Sequence, residues 1–192
     1  MKRFLAVLTF LVLLSSLSSA EITAKGVKVG VNSTNLHGAY TDMDPKISFC
    51  FGGFIVYKVA NDFFIQPEIY LTRRGARAKE EDAKLTIKYL EVPVLAKLVL
   101  NAKSESDFKY FVFAGGYYSF YLGGKEVVER EEYALDVEKS DYGLVIGAGT
   151  DLIFFERKFT VDVRYSFGTK VIDPDEEDIK NKALTLTIGY IF

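Results

Sequence analysis

The stretch "LTLTIGYIF" at 184–192 places Leu184, Leu186, Ile188, Tyr190 and Phe192 on one parity and Thr185, Thr187 and Gly189 on the other. A period of two is the mark of a strand with one apolar face. The same period recurs upstream. In 62–74, Phe63, Ile65, Pro67, Ile69 and Leu71 oppose Gln66, Glu68, Thr72 and Arg74. In 86–100, Leu90, Val92, Val94, Ala96 and Leu98 oppose Tyr89, Glu91, Pro93 and Lys97. In 140–153, Tyr142, Leu144, Ile146, Ala148 and Leu152 oppose Asp141, Gly143, Gly147, Gly149 and Asp151. In 158–167, Phe159, Val161, Val163, Tyr165 and Phe167 oppose Thr160, Asp162, Arg164 and Ser166. The pattern predicts strands over 25–33, 47–58, 62–74, 86–100, 108–121, 140–153, 158–167 and 183–192. The segment 108–121 is apolar on both parities and leaves its inward face open.

The connections alternate in length. Long ones fall at 34–46, 75–85, 122–139 and 168–182, and short ones at 59–62, 101–107 and 155–158. An up-and-down sheet then collects the long loops at one end and the tight turns at the other. Each strand is long enough to cross a bilayer at a tilt. Together these predict an all-β fold, an eight-stranded antiparallel up-and-down transmembrane β-barrel.

Alternation alone does not say which face meets lipid, and a soluble lipocalin-like barrel also alternates. Two features favour the membrane. The polar face mixes glycines with charges of both signs, which suits a narrow interior filled by side chains. The apolar face is graded: aromatics (Tyr57, Phe63, Tyr110, Phe159, Tyr190, Phe192) near the turn ends, aromatics (Phe49, Phe51, Tyr118, Phe120, Tyr142, Tyr165, Phe167) near the loop ends, and aliphatics between. Two aromatic girdles around an aliphatic band match a bilayer. Pro67 and Pro93 stand inside predicted strands, where a missing N–H is normally excluded. If 62–74 and 86–100 form a hairpin, the two fall nearly opposite each other, and a shared bulge is expected there.

The N-terminus extends this picture. "MKRFLAVLTFLVLLSSLSSA" runs from Lys2 and Arg3 through an apolar stretch to small residues at Ala20, the order of a signal peptide. Cleavage is expected after Ala20, leaving one domain over 21–192. Loss of Lys2 and Arg3 takes 24 basic residues to 22 against 26 acidic ones, a net charge of −4. That balance gives no basic footprint for nucleic acid. Cys50 is the single cysteine, so no intrachain disulfide holds the fold.

Candidate chemistry concentrates on the polar face. Glu68, Glu91, Asp151 and Asp162 can pair with Arg74, Lys97 and Arg164 inside the barrel, where charge is tolerated only when paired. His37, the single histidine, lies in the first long loop near Asp42 and Asp44. The second long loop offers Glu80, Glu81 and Asp82 but no serine. No convergent nucleophile and base result, and no enzyme is expected. "DPDEED" at 173–178 is rich in carboxylates but lacks the spacing of a calcium loop, so no metal or other cofactor is expected. Arg73, Arg74, Arg77 and Lys79 form a basic cluster and a candidate contact for lipopolysaccharide phosphates.

"FIQPEIYLTRRGA", "IKYLEVPVLAKL", "FAGGYYSFYLGG", "DYGLVIGAGTDL", "FTVDVRYSFG" and "LTLTIGYIF" resemble the PorT-like outer-membrane β-barrel family, typical of Bacteroidota. The resemblance covers nearly all of 21–192. It implies an eight-stranded barrel in the bacterial outer membrane and carries no catalytic residue; a few members are tied to secretion or gliding. It also implies a role for the last strand, since outer-membrane barrels end on an aromatic residue read by the barrel assembly machinery. Tyr190 and Phe192 are the matching residues here. The resulting expectation is a small non-enzymatic barrel acting as scaffold or interaction protein through its outer loops. Its partners would be outer-membrane lipid, lipopolysaccharide, the assembly machinery and an unidentified envelope protein. The alternative is a narrow channel or a small-ligand-binding barrel.

Overall fold

The computed structural model describes residues 21–37, 43–78, 84–100, 106–128, 131–134, 140–168 and 180–192. Its elements are strands: β1 (Glu21–His37), β2 (Met43–Lys58), β3 (Phe63–Arg74), β4 (Ala76–Ala78), β5 (Lys84–Val99), β6 (Phe108–Val128), β7 (Glu131–Ala134), β8 (Ser140–Phe154), β9 (Arg157–Gly168) and β10 (Lys180–Ile191). All pairings are antiparallel, and β10 closes on β1 from Gly26↔Ile191 to His37↔Lys180. Gly75, at φ 153°, separates β4 from β3, and β4 continues the same strand between β2 and β5. The short β7 folds back on the end of β6. The result is a closed barrel of eight antiparallel strands. Several strands run further into the predicted long connections than their sequence pattern showed, notably β1 to His37 and β6 to Val128.

Closure carries a stagger. From Ala24, the positions in register are Val56, Gln66 (between the pairs Phe54↔Glu68 and Tyr57↔Ile65), Leu95, Gly115, Val145, Ser166 and Ala183, and the path re-enters β1 at Thr34. The return lies ten residues along the strand (34 minus 24). A stagger of this kind tilts the strands by roughly 35–45° to the barrel axis. Residues distant in sequence and on different strands thereby come to one height inside.

The faces sort cleanly. Ile69, Leu71, Val94, Leu144, Ile146, Val163, Leu184, Leu186 and Ile188 are exposed on the outer surface, while Gln66, Glu68, Arg74, Lys97, Asp162, Arg164 and Thr187 are buried inside. The apolar face is outside, the reverse of a lipocalin-like barrel. The girdle aromatics stack outside at both ends. Phe159–Tyr190 and Tyr190–Phe192 centroids are 5.6 and 5.5 Å apart at the turn end, and Tyr118–Phe120 centroids 4.8 Å apart at the loop end. From Phe63 to Arg73 the outward rows rise about 34 Å along the strand at ~3.4 Å per residue. At the usual tilt that is about 26 Å of height, close to the apolar band of an outer-membrane barrel.

The strand that the sequence left unoriented turns Phe111, Phe113, Tyr117 and Ser119 inward and Tyr110, Val112, Tyr118 and Phe120 outward. Its inward rings need space, and β8 supplies it. A Cβ on Gly149 would come 2.6 Å from Phe111 Cζ, and one on Gly147 would meet the Phe113 ring. Gly147 and Gly149 are thus the complement of the aromatics beside them, while a Cβ on Gly143 would meet the β9 backbone at Phe167 and Gly168.

The expected proline bulge is not there. Register is constant through both prolines: Phe54↔Glu68 and Tyr57↔Ile65 in one ladder, Pro67↔Val94 and Tyr70↔Glu91 in the next. The pairing skips Ile55/Pro67 and Val56/Gln66 in one ladder and Glu68/Pro93 and Ile69/Val92 in the next, two adjacent ladders rather than one spot. A missing N–H removes one bond without adding a residue, so the register has no reason to shift. The bulges lie elsewhere, between Ile22 and Ala24 and between Lys88 and Tyr89.

Candidate functional site

The barrel interior is built from three charged layers. At mid-height, Lys28 Nζ donates to Glu68 Oε1 and to Asp162 Oδ2, both at 2.8 Å. Arg164 holds the same two carboxylates from the other side, Nη1 to Glu68 Oε2 at 2.5 Å and Nη2 to Asp162 Oδ1 at 2.8 Å. Gln66 Nε2 adds a bond to Glu68 Oε1 at 2.8 Å. Two cations and two carboxylates close into a neutral quartet contributed by β1, β3 and β9. Aromatic faces complete the desolvated shell. Lys28 Nζ lies 4.8 Å from the Phe54 centroid, and the Arg164 guanidinium lies 5.4 Å from Tyr70 and 5.3 Å from Phe113. Cations over ring faces are stabilised where water is excluded.

Towards the loop end, Arg74 bonds Glu91, Asp141 Oδ2 (3.2 Å) and the Tyr117 hydroxyl (3.2 Å). Ser119 Oγ donates to Glu91 Oε2 at 3.2 Å. Arg74 also lies 4.9 Å from the Tyr117 ring centroid. Towards the turn end, Lys97 Nζ donates to Asp151 Oδ2 at 2.7 Å and sits 3.7 Å from the Phe111 centroid. Between the first two layers a cavity of about 20 Å³ for water centres is lined by Asn32, Cys50, Tyr70, Thr72, Thr185 and Thr187 among others. That is room for one or two water molecules.

Glu68, Arg74, Glu91, Lys97, Asp151, Asp162 and Arg164 all stand on this inner face. Sequence reasoning missed Lys28 and did not pair Asp141. The signal for Lys28 was present in "VKVGVN", where Val27, Val29 and Val31 alternate with Lys28, Gly30 and Asn32. Arg74 had been placed both in the interior and in the lipopolysaccharide cluster. Its side chain is 3% exposed and enclosed by Glu91 and Asp141, so the second placement is corrected. Arg73, one residue earlier, points outward and is exposed. The side chain of Arg77 and all of Lys79 lie outside the described residues, as do 173–178, Glu80, Glu81 and Asp82. His37 is described only by its backbone, paired with Lys180. Tyr190 and Phe192 lie outside on the closing strand, and Phe192 N–H bonds the Lys25 carbonyl at 2.9 Å.

Chemically, the quartet and the Lys97–Asp151 pair balance their charges, while Arg74 faces two carboxylates, Glu91 and Asp141. Lys28, Arg164, Arg74 and Lys97 are each engaged by carboxylate, and the cavity between the first two layers is of water size. Among the described residues, such an arrangement ties the strands together across the lumen and rigidifies it.

Several solved structures share the architecture. Ail, the attachment invasion locus protein of Yersinia pestis, aligns with TM-score 0.52 and 18% identity over 90% of this chain and all of that one. Neisserial surface protein A aligns with TM-score 0.54 and 12% identity, covering 88% of this chain and 97% of that one. OprG of Pseudomonas aeruginosa aligns with TM-score 0.53 and 14% identity, covering 90% and 97%. At these identities the likeness is one of fold. A search of curated proteins finds no match. The profile of the outer membrane protein beta-barrel domain matches residues 22–170. With the lipid-matched exterior and the closed eight-stranded sheet, that match places the chain in the outer membrane as a member of the outer membrane protein beta-barrel domain family.

Proposed function

We propose that the protein is a non-enzymatic barrel whose interior is a structural plug and whose work is done at its two ends, as scaffold or interaction partner. The observation that carries this is the neutral Lys28–Glu68–Asp162–Arg164 quartet filling the middle of the lumen. A conducting pore needs a continuous aqueous path, and a plug of paired charge with water-sized gaps opposes one. The loop end is the surface that meets the exterior, and the turn end faces the periplasm. Residues 1–20 act as the export signal, and the stacked Tyr190 and Phe192 on the closing strand are read by the assembly machinery. Within the wider family, the PorT-like motifs favour an accessory role in secretion or the envelope.

The test is reconstitution into planar bilayers. Folded protein, verified by a boiled-versus-unboiled mobility shift on SDS gels, is expected to give no steady unitary current. Steady currents from the folded form would overturn the plug reading in favour of a narrow channel.

A further inference from the structure

Arg73 and Lys88 are directly opposed in the β3–β5 ladder, and both side chains are exposed on the outer surface. Opposed residues of an antiparallel pair have Cβ atoms about 5 Å apart, and like charges placed so destabilise the pair. Among the described residues, no carboxylate engages either cation. The pair also stands at a boundary. The next outward rung is Leu71↔Leu90, and apolar rungs continue down to Phe63↔Leu98. Around it the outer surface is apolar: Phe49 on β2 is 73% exposed, and Leu122, at the Lys88/Tyr89 bulge, is 55% exposed.

Among the side chains described at that height, the outward charged ones are Arg73, Lys88 and Lys182, all basic. At the turn end, exposed Lys25, Lys58, Arg157 and Lys158 are mixed with Glu21, Asp107 and Glu156. Two unneutralised cations at the top of an apolar band complement an anion that itself sits above hydrocarbon.

We propose that Arg73 and Lys88 form a clamp for a phosphate group of an outer-leaflet lipid, with Phe49, Leu71 and Leu122 lying against its acyl chains. A phosphate between them turns the like-charge repulsion into two charge-assisted contacts, and the planar Arg73 fork can make two parallel bonds. The proposal rests on the loop end facing outward. It replaces the four-residue basic cluster with a defined pair, keeping Arg73, adding Lys88 and leaving out Arg74, Arg77 and Lys79.

The experiment uses full-length protein folded in a neutral detergent, titrated with diphosphoryl lipid A, with the same lipid A stripped of phosphate, and with inorganic phosphate. Binding is read by native mass spectrometry, and stability by the temperature at which the folded gel band is lost. For the double variant R73Q/K88Q, affinity for diphosphoryl lipid A is expected to fall at least tenfold, while K182Q stays within twofold of the parent. Dephosphorylated lipid A is expected to bind all three equally weakly. Without lipid, R73Q alone is expected to melt at or above the parent temperature, because it relieves the repulsion; with diphosphoryl lipid A it is expected to melt below. An unchanged affinity in the double variant overturns the clamp. So does an equal thermal shift from inorganic phosphate, which would mean a soluble-anion site. Failure of the parent protein to show any folded band would instead count against the barrel reading, before the clamp is tested.

Discussion

Arg164 Nη1 lies 2.5 Å from Glu68 Oε2, across 96 positions of sequence, and ties β9 to β3 through the centre of the barrel. Both residues are buried, so each depends on the other and on Lys28 and Asp162 for neutralisation. Removing one charge from such a set leaves its partner buried and unpaired, at a cost of about 3–5 kcal/mol. Glu68→Ala and Arg164→Met are each expected to lower unfolding free energy by that amount in urea titrations of the barrel folded into vesicles. The double variant is expected to lose much less than the sum of the two. Strict additivity would mean the quartet does not act as a unit.

The Lys97–Asp151 pair is a weaker version of the same device. The Asp151 side chain is 27% exposed near the turn end, so solvent shares its stabilisation. Asp151→Asn is expected to cost roughly 1 kcal/mol, well below the quartet variants. Equal losses at Asp151 and Glu68, measured in one urea series, would contradict the difference in burial.

Glycines on β8 make room for rings on β6. Gly149→Val is expected to destabilise by about 1–3 kcal/mol through overpacking against the Val161 carbonyl, the Phe111 ring and Asp162. Phe111→Ala in the same chain should recover part of that loss, although Phe111→Ala alone is destabilising. Absence of any rescue would place the strain in the backbone rather than in the ring.

The outer band predicts a depth dependence. Val163→Arg, at mid-band and exposed to lipid, is expected to cost about 2–4 kcal/mol in vesicles, whereas an arginine at Phe120, near the loop-end girdle, should cost no more than about 1 kcal/mol from its charge. Folding yields in vesicles of fixed thickness check this. A flat profile would mean that this face does not meet hydrocarbon.

Much of this architecture was legible from parity. Strands such as 158–167 and 183–192 carry one apolar and one polar face, and for them the outward row could be read residue by residue. Parity failed at 108–121 because the interior is not uniformly polar. Phe111, Phe113 and Tyr117 are inside as ring faces for cations, and an aromatic gives no sign of whether it faces lipid or a guanidinium. The ladder through Pro67 and Pro93 failed for another reason. A lost N–H suggests disruption, yet its local cost was absorbed in two separate ladders. Lys28 alternates with Val27 and Val29 as clearly as the other interior charges do with their neighbours. What no local pattern could give is the stagger: only closure, Ala24 to Thr34, brings Lys28, Glu68, Asp162 and Arg164 to the same height.

The skipped rungs have a dynamic consequence. Pairing lapses beside Pro67 on the β2 side and beside Pro93 on the β5 side, so β3 is short of two rungs on each of its long edges. In a sheet with no free edge, breathing begins where the fewest bonds must break together. β3 is therefore the seam of the cylinder: its amides near Ile55 and Glu68 should exchange with deuterium first, and Glu68, planted on that seam, is the rivet that the quartet uses to hold it shut.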